Sequence, residues 1–418
     1  MRFILMACGT LLFSAFVILA GSGLLFGVIP LHARAIGFSD TSIGVLGSFY
    51  FAGMLLGCVI APTLLRAVGH VRVFAAAAAI ATAMPLGHAL FSEPLAWGFM
   101  RLVTGCCFAV IYAIIESWLN ERATNEIRGM VLAVYNIINY AAIASGQQML
   151  RLYDIGGFEL FSLTAILISI AAVPVVLTPT TAPTPPDSPK LRPIWLYHIS
   201  PVAFAGAIAV GLVNGAFWSL APVYATSLGL SASGSADFIT ASIIGTVVTL
   251  FPIGRASDRM DRRTIMAVVT GLSVISALGL ALFAILGLSS YWVLMGLSMI
   301  FGAAAMPIYA LAGAHGNDHA KPEELVQVST GLLLLYTIGA IIGPIITSLL
   351  MSGFGAGFLF LWVAVIHTLL LGYTIWRMTQ RAPVKEKYRE PFVPMPRTSP
   401  MAVELSPLVQ DEDSSSVQ

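Results

Sequence analysis

Apolar residues are arranged in twelve long runs, and short stretches rich in charged residues, Pro and Gly separate them. Each run reaches about 20 residues or more, the length that an α-helix needs to cross roughly 30 Å of hydrocarbon. The pattern predicts an all-α membrane protein. Its spans are expected at about 6–31, 41–65, 71–91, 95–118, 129–150, 156–177, 199–227, 236–254, 264–286, 290–313, 325–351 and 357–377.

The charge content excludes most soluble functions. Only 10% of the 418 residues are charged, whereas soluble domains hold about a quarter, so this chain cannot cover a water-facing surface. A net charge of +1 offers phosphates no basic field, and we expect no nucleic-acid partner. No GxxxxGK loop, catalytic triad or metal-ligand spacing occurs in the sequence. We therefore expect no enzyme activity, no cofactor and no metal.

The Lys and Arg residues predict the orientation, because loops on the cytoplasmic side of a membrane carry more of them. With the N-terminus placed in the cytoplasm, 18 of the 21 fall on the cytoplasmic side. Arg34 and Arg151 fall outside, and Arg101 lies within a span. We expect both termini to be cytoplasmic.

A Pro-rich segment at 178–192, TPTTAPTPPDSPKLR, divides the chain. On either side of it the pattern P-x2-A-x3-G-x-S occurs, beginning at Pro30 and again at Pro222. Such a duplication is typical of transporters built from two repeats. It predicts six-helix halves at 1–177 and 199–378 and a cytoplasmic linker at 178–198. Residues 379–418, which contain several Pro and a DEDSSS segment, are expected to be a disordered cytoplasmic tail.

Five segments carry a resemblance to a known family. GRASDRMDRR from Gly254 resembles the signature of the loop between the second and third helices of a half in the major facilitator superfamily, and RLVTG from Arg101 resembles its fourth-helix motif. ESWLNERATNEIRG from Glu116, YALAGAHGNDHAKPEEL from Tyr309 and GLLLLYTIGAIIGP from Gly331 are similar to the bacterial YcaD-type branch. The resemblance implies two pseudo-symmetric halves, alternating access and a place in the bacterial inner membrane. It implies no substrate.

In this superfamily the Asp-Arg loop forms a charged latch that stabilises the outward-facing state. The residues that would provide the latch in the second half are Gly254, Asp258, Arg259, Arg262 and Arg263. The alternative is a basic loop that only obeys the orientation rule. In the first half, Pro62 and Arg66 stand where the leading Gly and the Asp belong, while Gly69 remains. We therefore expect the second-half loop to carry more of this role.

The fourth run contains charged residues at a depth where a charge costs about 2.5–3.5 kcal/mol. We expect Arg101 to face a central cavity, where it attracts an anionic group of the substrate or couples to a proton carrier. The alternative is an Arg that binds backbone carbonyls and holds helices together. Tyr112 lies close to the same face, and Glu116 follows fifteen residues after Arg101. Glu116 is a candidate proton carrier, although a structural role beside Arg122 or Arg128 is preferred.

Other polar and aromatic residues are candidates for substrate contact. The resemblance implies that the first, fourth, seventh and tenth helices line the cavity. The candidates are Asn214 and Trp218 on the seventh helix, Asn136 and Asn139 on the fifth, Tyr309 on the tenth and Tyr336 on the eleventh. The alternatives are helix–helix contact for Asn214, lipid or core packing for Trp218, and hydrogen bonding between helices for Asn136 and Asn139. Asp237, at the outer edge of the eighth helix, is the second candidate proton carrier.

These observations predict a secondary active transporter that moves a small organic solute by alternating access. Proton-coupled efflux is the preferred hypothesis, because the expected cavity is apolar and aromatic. The alternative is uptake, by symport or facilitated diffusion, of a nutrient or vitamin-like compound, with an anionic metabolite as one option. A non-transporting sensor or scaffold is disfavoured by the complete Asp258 loop. We expect a monomer in the lipid bilayer, with protons as the coupling ion.

Overall fold

The computed structural model describes residues 2–124, 127–177, 193–384, 389–394, 396–399, 402 and 405–408. Within these residues the chain forms helices joined by short turns, and no β-strand occurs among them. Twelve helical segments are long and apolar enough to cross a membrane. The predicted all-α membrane architecture with twelve spans is therefore confirmed.

Six spans precede the Pro-rich segment. They are α1 (Arg2–Ala35), α2 (Asp40–Val68), α3 (His70–Leu90), α4 (Pro94–Arg122), α5 (Arg128–Gln148) and α6 (Glu159–Leu177). We call them the first half. A 3-10 turn at Met149–Arg151 continues α5, so the fifth span ends at Arg151.

The second half follows a short helix, α7 (Pro193–Ile199), at the end of the predicted linker. Residues 178–192 of that linker lie outside the described residues. The helices of the second half are α8 (Pro201–Ser227), α9 (Ala232–Arg259), α10 (Arg262–Ile285), α11 (Tyr291–Ala305), α12 (Ile308–Asn317), α13 (Leu325–Phe354) and α14 (Phe358–Gln380). Together α11 and α12 form the tenth span, which is interrupted at Met306 and Pro307.

The repeated sequence P-x2-A-x3-G-x-S forms the same turn in both halves. Gly37 and Gly229 have φ values of 92° and 83°, in the region that glycine adopts without steric cost. Two residues later, Ser39 and Ser231 begin the next helix, and each hydroxyl accepts a hydrogen bond of 3.1 Å from the backbone N–H three residues on. Such a cap satisfies one of the free donors at a helix start. The repeat therefore encodes a helix stop followed by a helix start.

The spans define two ends of the bundle. We call the end where α1 begins and α14 ends the terminal face, and the end that carries the turns at Gly37 and Gly229 the far face. Near the far face, Ser48 on α2 donates a hydrogen bond of 2.6 Å to the carbonyl of Ile341 on α13. At Gly44, about one turn nearer the far face on the same helix, an added Cβ would lie 2.3 Å from the Ser348 side chain. These contacts join the two halves in the part of the bundle toward the far face.

Of the predicted tail, residues 379–418, the structure describes only part of the chain beyond α14. Its described residues from Arg389 to Leu408, which we call the tail segment, return to the bundle and lie between the two halves. Ser399, Ala402 and Leu405 are buried there. The reason is that the hydroxyl and apolar side chains of this segment find partners in the bundle. Composition alone carries no information about those partners.

Close helix packing within the first half leads to a prediction about stability. At Gly105 on α4 an added Cβ would lie 2.0 Å from the carbonyl oxygen of Tyr50 on α2, whereas at the exposed Gly372 it would meet nothing within 4 Å. We expect Gly105→Ala to force α2 and α4 apart at a cost of about 1–3 kcal/mol or more. Gly372→Ala is the matched control. Thermal unfolding in detergent should show a lower melting temperature for the first variant only, and equal values would contradict this account.

Candidate transport site

Arg101 is a buried cation of the first half. It lies on α4, and its guanidinium carbon is 4.3 Å from the centre of the Tyr50 ring and 5.8 Å from that of Phe26. These distances are typical of cation–π contacts. Among the described residues, its Nε–H has no hydrogen-bond partner. The rings thus stabilise the charge while leaving donor capacity for another group.

Aromatic rings connect Arg101 with the second half. Phe26 on α1 contacts Tyr50 edge to face, with ring centres 5.2 Å apart, and its ring centre is 5.8 Å from that of Trp218 on α8. Tyr112, one of the sequence candidates, is buried on α4 and contacts Phe108. Since Phe26 and Trp218 belong to different halves, a movement of one half against the other would alter this cluster.

A cavity of about 130 Å³ lies between the halves. Its lining is aromatic and amide-rich, and it includes Phe26, Tyr50, Asn136, Asn139, Tyr140, Trp218 and Tyr336. A smaller space of about 10 Å³ lies beside it; Phe26 and Trp218 line both spaces, and Arg101 borders the smaller one. The structure therefore brings four of the sequence candidates, Asn136, Asn139, Trp218 and Tyr336, to one cavity and Arg101 to the neighbouring space.

Glu116 is fully buried on α4, nearer the terminal face than Arg101. Its carboxylate accepts a hydrogen bond of 2.9 Å from the Tyr135 hydroxyl on α5. The hydroxyls of Thr398 and Ser399 in the tail segment also donate to it. The Glu116 carboxylate thus connects the first half to the tail segment.

The buried amides differ in their hydrogen bonds. The side-chain nitrogen of Asn136 donates 2.8 Å to the carbonyl of Pro394, and that of Asn139 donates 2.9 Å to the carbonyl of Tyr135. Asn214 on α8 is fully buried. Asn139 therefore contributes to helix structure, whereas Asn136 also holds the tail segment.

Tyr309 on α12 and Tyr336 on α13 form a pair with ring centres 5.4 Å apart. The guanidinium carbon of Arg397 lies 5.6 and 5.7 Å from the two ring centres. The two tyrosines thus take up a cation from the tail segment, whereas the rings of the first half contact Arg101.

The second-half loop is held by Arg262. Its guanidinium binds both carboxylate oxygens of Asp318, at 2.6 and 3.1 Å, and one oxygen of Asp258 at 3.3 Å. Arg263 binds Asp261 at 2.8 Å. Although burial raises the pKa of the Asp261 carboxyl, the hydrogen bonds and charge of Arg263 outweigh it and hold the pKa below its usual value.

The other predicted loop residues have smaller roles in this conformation. Arg259 is exposed at the end of α9, and Gly254 packs against the Phe392 ring of the tail segment. In the first half, Arg66 donates 3.2 Å to the carbonyl of Pro62 on its own helix. Gly69 ends α2 with a φ of 88°, in a conformation that favours glycine.

A charged contact joins the halves at the far face. Arg151, at the end of the fifth span, forms an ion pair with Asp237 on α9. Asp237 also accepts hydrogen bonds from Tyr291 at 2.7 Å and from Gln148 at 3.3 Å. Arg34 crosses between the halves as well, donating 3.0 Å to the carbonyl of Val223. Asp237, a sequence candidate for proton transfer, is thus part of a contact that joins the halves at the far face.

Several residues of the site were not predicted from the sequence. Phe26 and Tyr50 occur in apolar runs, where nothing distinguishes them from ordinary packing residues. Asp318 could have been recognised from the sequence as a loop partner, since it is an acidic residue just beyond the tenth span. Arg397 lies in a tail that the composition predicts to be disordered. Its position between two tyrosines follows only from the fold.

Comparison with known proteins identifies the family of the chain. The family model of the Major Facilitator Superfamily matches residues 11–237 and 203–408. An uncharacterized MFS-type transporter of Yersinia pestis is 25% identical over 363 residues, covering 86% of this chain and 92% of its own. The uncharacterized MFS-type transporter YcaD of Escherichia fergusonii is 24% identical over 346 residues, covering 82% of this chain and 88% of its own.

Solved structures show the same fold. The nucleoside transporter NupG is 13% identical, with a TM-score of 0.73 over 90% of this chain and 99% of its own. A bacterial homologue of the human lysosomal transporter Spinster, in an inward-facing and occupied conformation, is 13% identical. Its TM-score is 0.69 over 93% of this chain and 98% of its own.

The fold and the family model together define a membrane transporter. The chain belongs to the major facilitator superfamily. Its predicted membership is thereby confirmed, and so is its similarity to the YcaD-type transporters.

The far-face ion pair leads to a prediction about conformation. We expect Asp237→Asn to weaken the closed far face, because it removes the charge that holds Arg151. Double electron–electron resonance between spin labels at Ile36 and Ser227, in a chain whose four cysteines are replaced by serine, should then show a longer distance component. The charge swap Arg151→Asp with Asp237→Arg should restore the short distance. An unchanged distribution in Asp237→Asn would show that the pair does not hold this face.

Proposed function

We propose that the chain exports a small organic anion with a planar, apolar part, and that it couples this export to protons. It would act as a monomer in the bacterial inner membrane, with its terminal face in the cytoplasm. The observation that carries the proposal is Arg101, a buried guanidinium that contacts aromatic rings and has a free Nε donor among the described residues.

The charge of the solute follows from the cost of a buried cation. A charge removed from water is penalised by several kcal/mol unless a partner compensates it. Tyr50 and Phe26 offer only the weaker attraction of their ring faces. A carboxylate or phosphate on the solute would supply both a negative charge and hydrogen-bond acceptors in the geometry that guanidinium prefers.

The shape of the solute follows from the lining of the cavity. Phe26, Tyr50 and Trp218 present ring surfaces on which a planar group can stack. Asn136 and Asn139 add amide groups that can hydrogen-bond its polar edge. An aromatic acid is therefore a better match to this lining than a sugar, which would need many more polar partners.

The direction follows from the membrane potential. A bacterial cytoplasm is negative, and the potential contributes about 2.3 kcal/mol per charge for each 100 mV. It therefore drives an anion outward and opposes its uptake. The excess of Lys and Arg in the loops of the terminal face supports placing that face in the cytoplasm.

Glu116 is the proposed proton carrier. It is a fully buried carboxylate on the same helix as Arg101, and its hydrogen-bond donors include the Tyr135 hydroxyl. Asp237 is the weaker candidate, because it is engaged by Arg151 at the far face. Coupling through Glu116 would let proton entry reset the carrier after the anion has left.

Substitution of Arg101 tests the class of solute. Aromatic carboxylates should stabilise the purified protein by about 2.7 kcal/mol at 100 times their dissociation constant. Arg101→Gln should abolish the rise in melting temperature. Arg101→Lys should retain part of it, because Lys keeps the charge but lacks the paired donors of the planar guanidinium. Arg72→Gln, at an exposed residue near the terminal face, is the control. Stabilisation by lipophilic cations that is indifferent to Arg101 would contradict the proposed class.

Substitution of Glu116 tests proton coupling. In proteoliposomes, an imposed pH gradient should drive accumulation of the solute by the wild type, and Glu116→Gln should lose this response while retaining solute exchange without a gradient. The exposed Glu121 at the end of the same helix provides the control, Glu121→Gln. A Glu116→Gln protein that still concentrates solute against its gradient would exclude Glu116 as the carrier.

A further inference from the structure

The tail segment occupies the opening between the two halves at the terminal face. Pro396, Arg397 and Thr398 line the 130 Å³ cavity together with Trp218 and Tyr336. Farther along, Ala402 and Leu405 are buried, with relative exposures of 1% and 0%. A segment that follows the last span has thus become part of the cavity wall.

The second half holds the beginning of the tail segment through its loop. The backbone N–H of Phe392 donates 2.9 Å to the carboxylate of Asp258, and Arg389 donates 2.7 Å to the carbonyl of Met260. The Phe392 ring packs on Gly254, where an added Cβ would lie 2.3 Å from it. The loop therefore offers a shaped surface for this part of the tail.

The Arg262–Asp318 pair belongs to the same attachment. Asp318 accepts a hydrogen bond of 3.0 Å from the backbone N–H of Glu390, and Arg262 donates to the carbonyl of the same residue. The charged groups that hold the loop together thus bind the tail backbone as well.

The first half holds the next part of the tail segment. Asn136 on α5 donates to the carbonyl of Pro394, and Glu116 on α4 accepts from the hydroxyls of Thr398 and Ser399. Between these contacts, Arg397 lies against the two tyrosines of the second half. The segment therefore crosses from one half to the other and is bound by both.

We propose that the tail segment is an internal inhibitor that competes with the transported solute. Arg397 fills the space beside Tyr309 and Tyr336. The hydroxyls of Thr398 and Ser399 take up the hydrogen-bonding capacity of the Glu116 carboxylate. Because the tail segment is bound to both halves, it keeps the terminal face from closing. The inhibitory role of the tail segment rests on the proposed function, whereas its docking between the halves does not.

Two physical arguments support competition. A tethered segment reaches its site at an effective concentration in the millimolar range, so weak contacts suffice for high occupancy. Alternating access also requires the halves to approach each other at the terminal face. A ligand that binds only the open arrangement shifts the population toward it, and the tail segment binds residues of both halves across that opening.

Limited trypsin digestion of the full-length, detergent-purified protein tests the docking. Trypsin cleaves after Arg397 only when that bond is accessible. The variant Phe392→Ala/Thr398→Val/Ser399→Ala keeps Arg397 but removes three docking side chains. We expect it to be cut after Arg397 at least tenfold faster than the wild type. Thr379→Val, at an exposed hydroxyl on α14, should behave as the wild type. Equal rates in wild type and triple variant would overturn the proposal.

Binding of the aromatic carboxylate that gives the largest stabilisation tests the competition. We expect its dissociation constant to fall at least threefold in the triple variant, because the competing segment is gone. Release of the tail without any change in affinity would overturn competition. If Arg101→Gln leaves binding unchanged with and without the docked tail, the proposed function fails, while the trypsin result still decides whether the tail docks.

Discussion

Hydrocarbon offers no hydrogen bonds to a charged group, and the placement of every buried charge in this protein depends on that constraint. Arg262 meets it by binding Asp318 and Asp258, and Glu116 meets it with hydroxyl donors. Arg101 and Arg397 lie instead against aromatic rings, and the Nε of Arg101 and one Nη of Arg397 have no hydrogen-bond partner among the described residues. The buried charges thus divide into those held by polar partners and those held by aromatic rings.

The same constraint explains where the contacts between the halves carry charge. The ion pair between Arg151 and Asp237 is placed at the edge of the bundle, where water can replace either partner when the contact breaks. In the interior, the halves meet through rings such as Phe26 and Trp218, which can slide without leaving a hydrogen bond unsatisfied. A carrier that must open and close in a membrane can therefore keep breakable charge pairs at its ends and apolar contacts in between.

The sequence predicted the fold well because hydrophobic length is a direct physical requirement for crossing a bilayer. It also singled out Arg101 and Glu116 as candidates, since charges in apolar runs are conspicuous. It could not identify Phe26 or Tyr50, because an aromatic residue in a span looks the same whether it faces a cavity, a neighbour or lipid. Nor could it place Arg397, whose partners Tyr309 and Tyr336 are distant along the chain. Those contacts depend on how helices converge, which periodicity does not specify.

The hydrogen bonds between Glu116 and the tail hydroxyls have an evolutionary consequence. If the tail segment and the solute share one set of partners, a mutation that adapts the cavity to a new compound also changes its hold on residues 397–399. Substrate range and C-terminal sequence would then have to diverge together within this branch. Exchanging tails between relatives with different substrates would in that case change how strongly each cavity binds its tail, even though each tail lies outside the twelve spans.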